Sequence, residues 1–240
     1  MLLNLMKPEN RNIISIVLYI ISSLMVIFLV MPLHEWAHGF VAYKLGDKTA
    51  KLDGRLTLNP LAHIDYLGAA MILLMGFGWA KPVPVNPRYF KKPRRDVALT
   101  SLAGPVSNLL AAIVFGLTVN LIMMILIKTE SYYSIAGSVM GYTLVFFKFL
   151  MTINISLAVF NFIPVPPLDG SKILMALLPD KAIFWIEKYQ MYITIGFFTI
   201  LLSFGSNILY RVQQWLCMCI GWLTWLPFSW AFPFSWAWEW

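Results

Sequence analysis

Long apolar stretches alternate with short polar ones along this chain, and the lengths of the apolar stretches limit what each can be. A helix rises about 1.5 Å per residue, so about 20 apolar residues cross the hydrocarbon core of a bilayer. Over residues 13–45 only Pro32 is a serious interruption. This predicts a first, tilted span that continues past the membrane edge. A second span is expected over about residues 97–127, where Ser107, Ala111, Ala112 and Gly116 permit close helix contact. After a short outer turn over residues 128–134, a third span is expected over about residues 135–162 and a fourth over about residues 189–210. Residues 212–240 are crowded with Trp and Phe and broken by Pro227 and Pro233, which fits either a fifth span or a belt at the headgroup level.

Between the first two spans the pattern changes. Residues 46–65 alternate apolar and polar side chains between Gly and Pro, which predicts short strands or a hairpin at the membrane surface. The apolar run over residues 66–79 is short for a span and leads into Ala80-Lys81-Pro82-Val83-Pro84-Val85-Asn86-Pro87. A re-entrant or interfacial segment followed by extended chain is expected there. After the third span, Pro164-Val165-Pro166-Pro167-Leu168-Asp169-Gly170 cannot continue a helix smoothly. Irregular backbone at membrane depth is tolerated only where protein or a watery cavity satisfies its polar groups. The expected fold is an all-α polytopic membrane protein, a bundle of about 4–6 transmembrane helices with a small re-entrant or β-hairpin region between the first two spans. No linker or internal repeat divides it, so residues 1–240 read as one integral membrane domain. Its core covers about residues 13–180, and an aromatic-rich helical extension covers about residues 189–240.

Composition agrees. Of 240 residues, 60% are hydrophobic and 12% charged, and the mean hydropathy is +0.73; soluble domains carry roughly 45–50% apolar and about 25% charged residues. The net charge of +7 could suit nucleic acid, but ten Lys and Arg fall within residues 44–95 against two before residue 13. That bias follows the positive-inside rule, so residues 44–95 are expected in the cytoplasm, the N-terminus outside a cell membrane, and no nucleic acid as partner. The first apolar run lacks a small-residue cleavage site and reads as a span, not a cleaved signal peptide. Cys217 and Cys219 have neither zinc-motif nor disulfide spacing and read as small apolar residues.

The residues that carry chemistry lie where the first span nears its polar end. His34-Glu35-Trp36-Ala37-His38 places two imidazoles at i and i+4, on one helix face, where they can hold one Zn²⁺. Glu35 between them can take a proton from water activated by the metal. Polar side chains at such depth are costly and mark function by default. His38 precedes Lys44 by roughly 10 Å of helix, so the metal is expected near the cytoplasmic surface. A hydrolytic zinc site uses three protein ligands and an open position. His63 lies in a polar loop between Pro60 and Asp65 and reads as a surface hydrogen-bonding residue. Most acidic residues sit in polar loops or near the termini; Asp169, flanked by apolar residues at the inner end of the third span, is the exception. Asp before Gly also makes turns, so a purely structural role stays open on this ground alone.

The His34–His38 run, followed by Asn161-Phe162-Ile163-Pro164-Val165-Pro166-Pro167-Leu168-Asp169-Gly170, resembles the site-2 protease family of intramembrane zinc metalloproteases, in its compact bacterial form. The family's signatures are H-E-x-x-H and an N-x-x-P-x-x-x-L-D-G type motif. Residues 78–87 and 103–108 also resemble segments of such proteins, and the likeness covers roughly residues 20–180. It implies one Zn²⁺ per chain on His34, His38 and Asp169, Glu35 as general base, and a core of three helices. It also implies cleavage in or near transmembrane segments of membrane proteins within the lipid bilayer, with anti-sigma factors or signal-peptide remnants as substrates. No PDZ-like soluble insertion is seen. Asn161 and Asn108 are candidates to orient substrate or stabilise an oxyanion; capping and interhelical hydrogen bonding are the plainer roles. The 82–87 loop is either a partner for an unwound substrate strand or a surface anchor. Two rival readings are a membrane zinc transporter and a homologue that holds clients without cutting them. The chain has only three histidines, one of them in a loop, which counts against the first; an intact Glu35 counts against the second.

Overall fold

The computed structural model describes residues 13–75, 78–129, 134–201 and 206–231. Helix α1 (Ile13–Met25), a π-helical stretch (Val26–Val30) and α2 (Met31–Lys44) run on without a break. Pro32 sits in the first turn of α2, where it lacks the N–H for an ordinary i→i−4 bond. Just before it the ladder has the wider spacing, with the Met31 N–H donating to the Val26 carbonyl. The proline is thus accommodated by a wider turn and does not interrupt the span.

The hairpin expected over residues 46–65 is not there. These residues hold α3 (Thr49–Leu52) and a 3-10 turn (Pro60–Ala62), and no strand. Their polar side chains close local turns: Asp47 accepts from the Thr49 N–H and hydroxyl, and Asn59 accepts from the Leu61 N–H. Such contacts compete with strand pairing. Helix α4 (Tyr66–Met75) has ten residues, about 15 Å of helix. The chain then returns beside it: the Lys81 N–H donates to the His63 carbonyl at 2.8 Å. A Cβ on Gly68 would lie 2.0 Å from the Trp79 carbonyl oxygen, so only glycine permits this approach. The segment leaves and comes back at one end of α4, through irregular chain over residues 78–86 and a second 3-10 turn (Pro87–Tyr89).

Two long helices follow, α5 (Pro93–Thr129) and α6 (Ile135–Asn161). With Ile20–Lys44, they make three helices among the described residues that are long and apolar enough to cross a membrane. The chain next forms α7 (Asp169–Met175), α8 (Asp180–Lys188), α9 (Gln190–Ile200) and α10 (Ser206–Trp225). Where a fourth span is expected, over residues 189–210, the described chain forms α9, eleven residues and shorter than a span, and the start of α10, with residues 202–205 outside the described set. Also outside it are residues 1–12, residues 130–133 of the expected outer turn and residues 232–240 of the Trp-rich end.

Helix α5 is the hub, packing along α2, α6, α7 and α10. Ala112 and Val119 of α5, Met151 and Ile155 of α6, and Cys217 and Ile220 of α10 form one buried cluster. Cys217 is the small apolar residue expected, while Cys219 is exposed. Gly116 lets α10 come close, since a Cβ there would lie 2.9 Å from Thr224 Oγ1. The Asn120 amide then donates to Thr224 Oγ1 at 3.0 Å and to the Gly116 carbonyl at 3.1 Å. Most of the surface of the three long helices faces outward.

Candidate active site

Helix α2 carries His34 and His38 one turn apart, their rings 4.6 Å between centroids. The irregular residues after α6 turn the chain so that Asp169 opens α7, with Leu168 as an extended N-cap. A carboxylate in a first turn is favoured by the helix dipole. Gly170 follows because a Cβ there would lie 2.4 Å from the Phe162 carbonyl oxygen; glycine lets α7 press against the end of α6. Thus α2 and α7, 135 residues apart in sequence, meet at this point.

His34 Nε2 and His38 Nε2 are 3.0 Å apart, and each lies 3.2 Å from Asp169 Oδ2. A tetrahedral zinc with bonds of about 2.0–2.1 Å sets its donor atoms roughly 3.3 Å apart, so this trio fits the ion. Space for it comes from α5: a Cβ on Gly104 would lie 2.4 Å from His38 Nε2 and 2.6 Å from His34 Nε2. A zinc ion takes Asp169 as a carboxylate and each imidazole through a bare ring nitrogen.

The surroundings orient these donors. His38 Nδ1–H donates to the Thr100 carbonyl at 2.6 Å, which leaves Nε2 with its lone pair. Pro105 has no N–H for the Ser101 carbonyl, which loosens the α5 ladder next to the Thr100 acceptor. Asn108 is fully buried on α5, its Nδ2 3.2 Å from His34 Nδ1. Glu35 lines the same cleft as the donors, where its Oε2 accepts from the Val83 N–H at 2.8 Å. That segment is anchored again by Asp47, fully buried, which accepts from the Asn86 N–H at 2.7 Å.

These groups open onto a cleft of about 620 Å³ lined by His34, Glu35, His38, Asn161, Asp169 and Lys172, among others. Asn161 donates through Nδ2 to the Leu157 carbonyl of its own helix at 3.0 Å. Lys172, one turn beyond Asp169, brings Nζ to 3.8 Å from Oδ1. Asn108 does not line the cleft. His63 lies elsewhere and is not on the surface as expected. It is 1% exposed, because the loop folds over it and the Thr57 carbonyl accepts from its Nε2–H at 2.7 Å. Sequence reasoning missed the Thr100 carbonyl and the Val83 N–H, backbone groups that no residue letter signals. It also missed Lys172, whose signal was its place three residues after Asp169.

The profile of Peptidase family M50 matches residues 21–203, which include every residue of this cleft. The chain belongs to peptidase family M50. Among its M50-like relatives, "Putative zinc metalloprotease YwhC" of Bacillus subtilis (strain 168) is 40% identical over 201 residues, covering 82% of this chain and 86% of that protein. "Putative zinc metalloprotease Rip2" of Mycolicibacterium smegmatis (strain ATCC 700084 / mc(2)155) is 31% identical over 144 residues, covering 58% of this chain and 50% of that protein. No solved structure matches the chain significantly. As an M50 member with apolar helices of spanning length, the protein is a multi-pass membrane zinc protease.

Proposed function

We propose that this M50 protein is an intramembrane endopeptidase of the cell membrane that cuts membrane proteins in or near their transmembrane segments, with its site toward the cytoplasm. The observation that carries the reading is the convergence of His34, His38 and Asp169 donors within 3.0–3.2 Å, beside Glu35 in one cleft. Held by these three residues, Zn²⁺ supplies Lewis-acid chemistry for peptide hydrolysis. Glu35 takes the proton of the attacking water and returns it to the leaving amine. The Val83 N–H engages one of its oxygens, and the proton falls to the other. Asn161 has one amide hydrogen on Leu157; the second is available to a substrate carbonyl oxygen.

The cytoplasmic orientation rests on the ten cations of residues 44–95, which flank the inner ends of α2 and α5. Water then has a short route to the cleft. Suitable substrates are single spans left in the bilayer, such as anti-sigma factors or signal-peptide remnants, whose helix must unwind to enter. The proline-containing residues 82–87 border the cleft and can pair with such an unwound chain. A transporter would need further donors along a path; among the described residues His34, His38 and Asp169 are the one such metal-holding group.

The test is cleavage of a reporter span in proteoliposomes. Glu35→Gln is expected to keep its zinc and to lose cleavage by about 10²–10⁴-fold. Zinc uptake into the vesicles without any peptide cleavage would sink the proposal.

A further inference from the structure

Among the described residues, two buried side-chain oxygens beside the donor set lack a partner, Thr100 Oγ1 and Asn108 Oδ1, and the second belongs to a side chain that faces a ligand ring. Nδ2 of the same carboxamide faces His34 Nδ1 at 3.2 Å. A neutral imidazole has one proton for two nitrogens. His38 divides them as a metal ligand must, with the proton on Nδ1 toward the Thr100 carbonyl and Nε2 bare. His34 cannot do the same while an amide donor faces its Nδ1. A donor there requires the lone pair at Nδ1 and places the proton on Nε2. That is the nitrogen 3.0 Å from His38 Nε2 and 3.2 Å from Asp169 Oδ2, and the proton would fill the position the ion needs.

Turning the carboxamide by half a turn exchanges its oxygen and nitrogen with almost no change of shape. Oδ1 then accepts from His34 Nδ1–H, Nδ2 takes the position that Oδ1 held, and Nε2 presents its lone pair. We propose that Asn108 is a positioning residue for the metal: its carboxamide oxygen keeps the His34 proton on Nδ1 and so turns Nε2 into a ligand. The inference rests on His34, His38 and Asp169 being the ligand set. It sets aside contact with substrate, because Asn108 is fully buried behind the ring and does not line the cleft. It is also narrower than an interhelical hydrogen bond, which a donor or an acceptor could equally make; this role requires an acceptor.

Two variants of nearly the same shape separate these roles, studied as the full chain in detergent. Asn108→Asp keeps only acceptors, and Asn108→Leu keeps neither donor nor acceptor. Zinc affinity is measured by competition with a chromogenic chelator, and the ligand field by the visible spectrum after Co²⁺ replacement. Asn108→Leu should weaken zinc by about 10–100-fold and alter the Co²⁺ spectrum. Asn108→Asp should hold zinc within about threefold of the unchanged protein and keep its spectrum. Tight zinc in Asn108→Leu, or a tenfold or greater loss in Asn108→Asp, overturns the proposal; the second measurement decides alone if Asn108→Leu does not fold. His34→Ala and Asp169→Ala serve as controls. If both keep zinc, the ligand set is wrong and the role falls with it; if both lose it while Asn108→Leu does not, only the role of Asn108 falls.

Discussion

Helix α5 carries the same pairing twice, Gly104 with Asn108 and Gly116 with Asn120, and the two pairs meet different partners. At Gly116 the missing Cβ admits the Thr224 hydroxyl, and Asn120 bonds both to that hydroxyl and to its own helix. At Gly104 the missing Cβ admits two imidazoles, and Asn108 is left with an acceptor unpaired next to one of them. Both asparagines are fully buried. A small residue followed one turn later by a buried amide is therefore a means of docking a partner closely against α5, and what docks decides its use. The first copy fastens a helix; the second faces the imidazole of His34.

That contrast can be broken at graded strength. The largest effect is expected from Asp169→Ala, which removes the carboxylate that both histidines face: zinc content by elemental analysis should fall to background, and unchanged stoichiometry would rule the aspartate out. Gly104→Ala comes next. Its methyl would lie 2.4 Å from His38 Nε2, so zinc binding should weaken at least about tenfold while the helical content in circular dichroism stays. Gly116→Ala should act in the opposite sense, leaving zinc at full occupancy and lowering stability in detergent by about 1–3 kcal/mol through overpacking against Thr224. Zinc loss in this variant would show that the two docking points are not separable. The smallest effect belongs to Thr224→Val, which removes one interhelical hydrogen bond worth about 0.6 kcal/mol and should leave cleavage rates unchanged.

Much of the site was legible before any coordinates. His34 and His38 face together because helices repeat every 3.6 residues, and Asp169 stood out as an acid among apolar neighbours. The spacing of the spans followed from apolar length alone, and α2, α5 and α6 lie where it put them. Legibility failed where side chains bond locally. Residues 46–65 alternate like a strand, but Asp47 and Asn59 spend their oxygens on nearby N–H groups and close turns. His63 read as a surface residue because its polar neighbours suggested an open loop, and the loop wraps around it to reach the Thr57 carbonyl. Backbone partners such as Thr100 and Val83 are invisible in principle, since every residue carries them. The fastening of α10 to α5 depended on a contact between Asn120 and Thr224, 104 residues apart, and neither position has any local sign of the other.

Of the apolar windows of the three long helices, only 39%, 28% and 28% lie inside the molecule. Acyl chains are the solvent for the remainder. Moving these helices against one another exchanges lipid contact for protein contact at little hydrophobic gain, so their arrangement is selected by close fits and polar bonds of the kind found at Gly104 and Gly116. A mismatch between the bilayer and the apolar length of Ile20–Lys44 is met by tilting or by local thinning or thickening of the lipid, at a modest cost per ångström. Each of these shifts the level of His34 and His38 relative to the headgroups, so lipid composition becomes a variable of the enzyme itself.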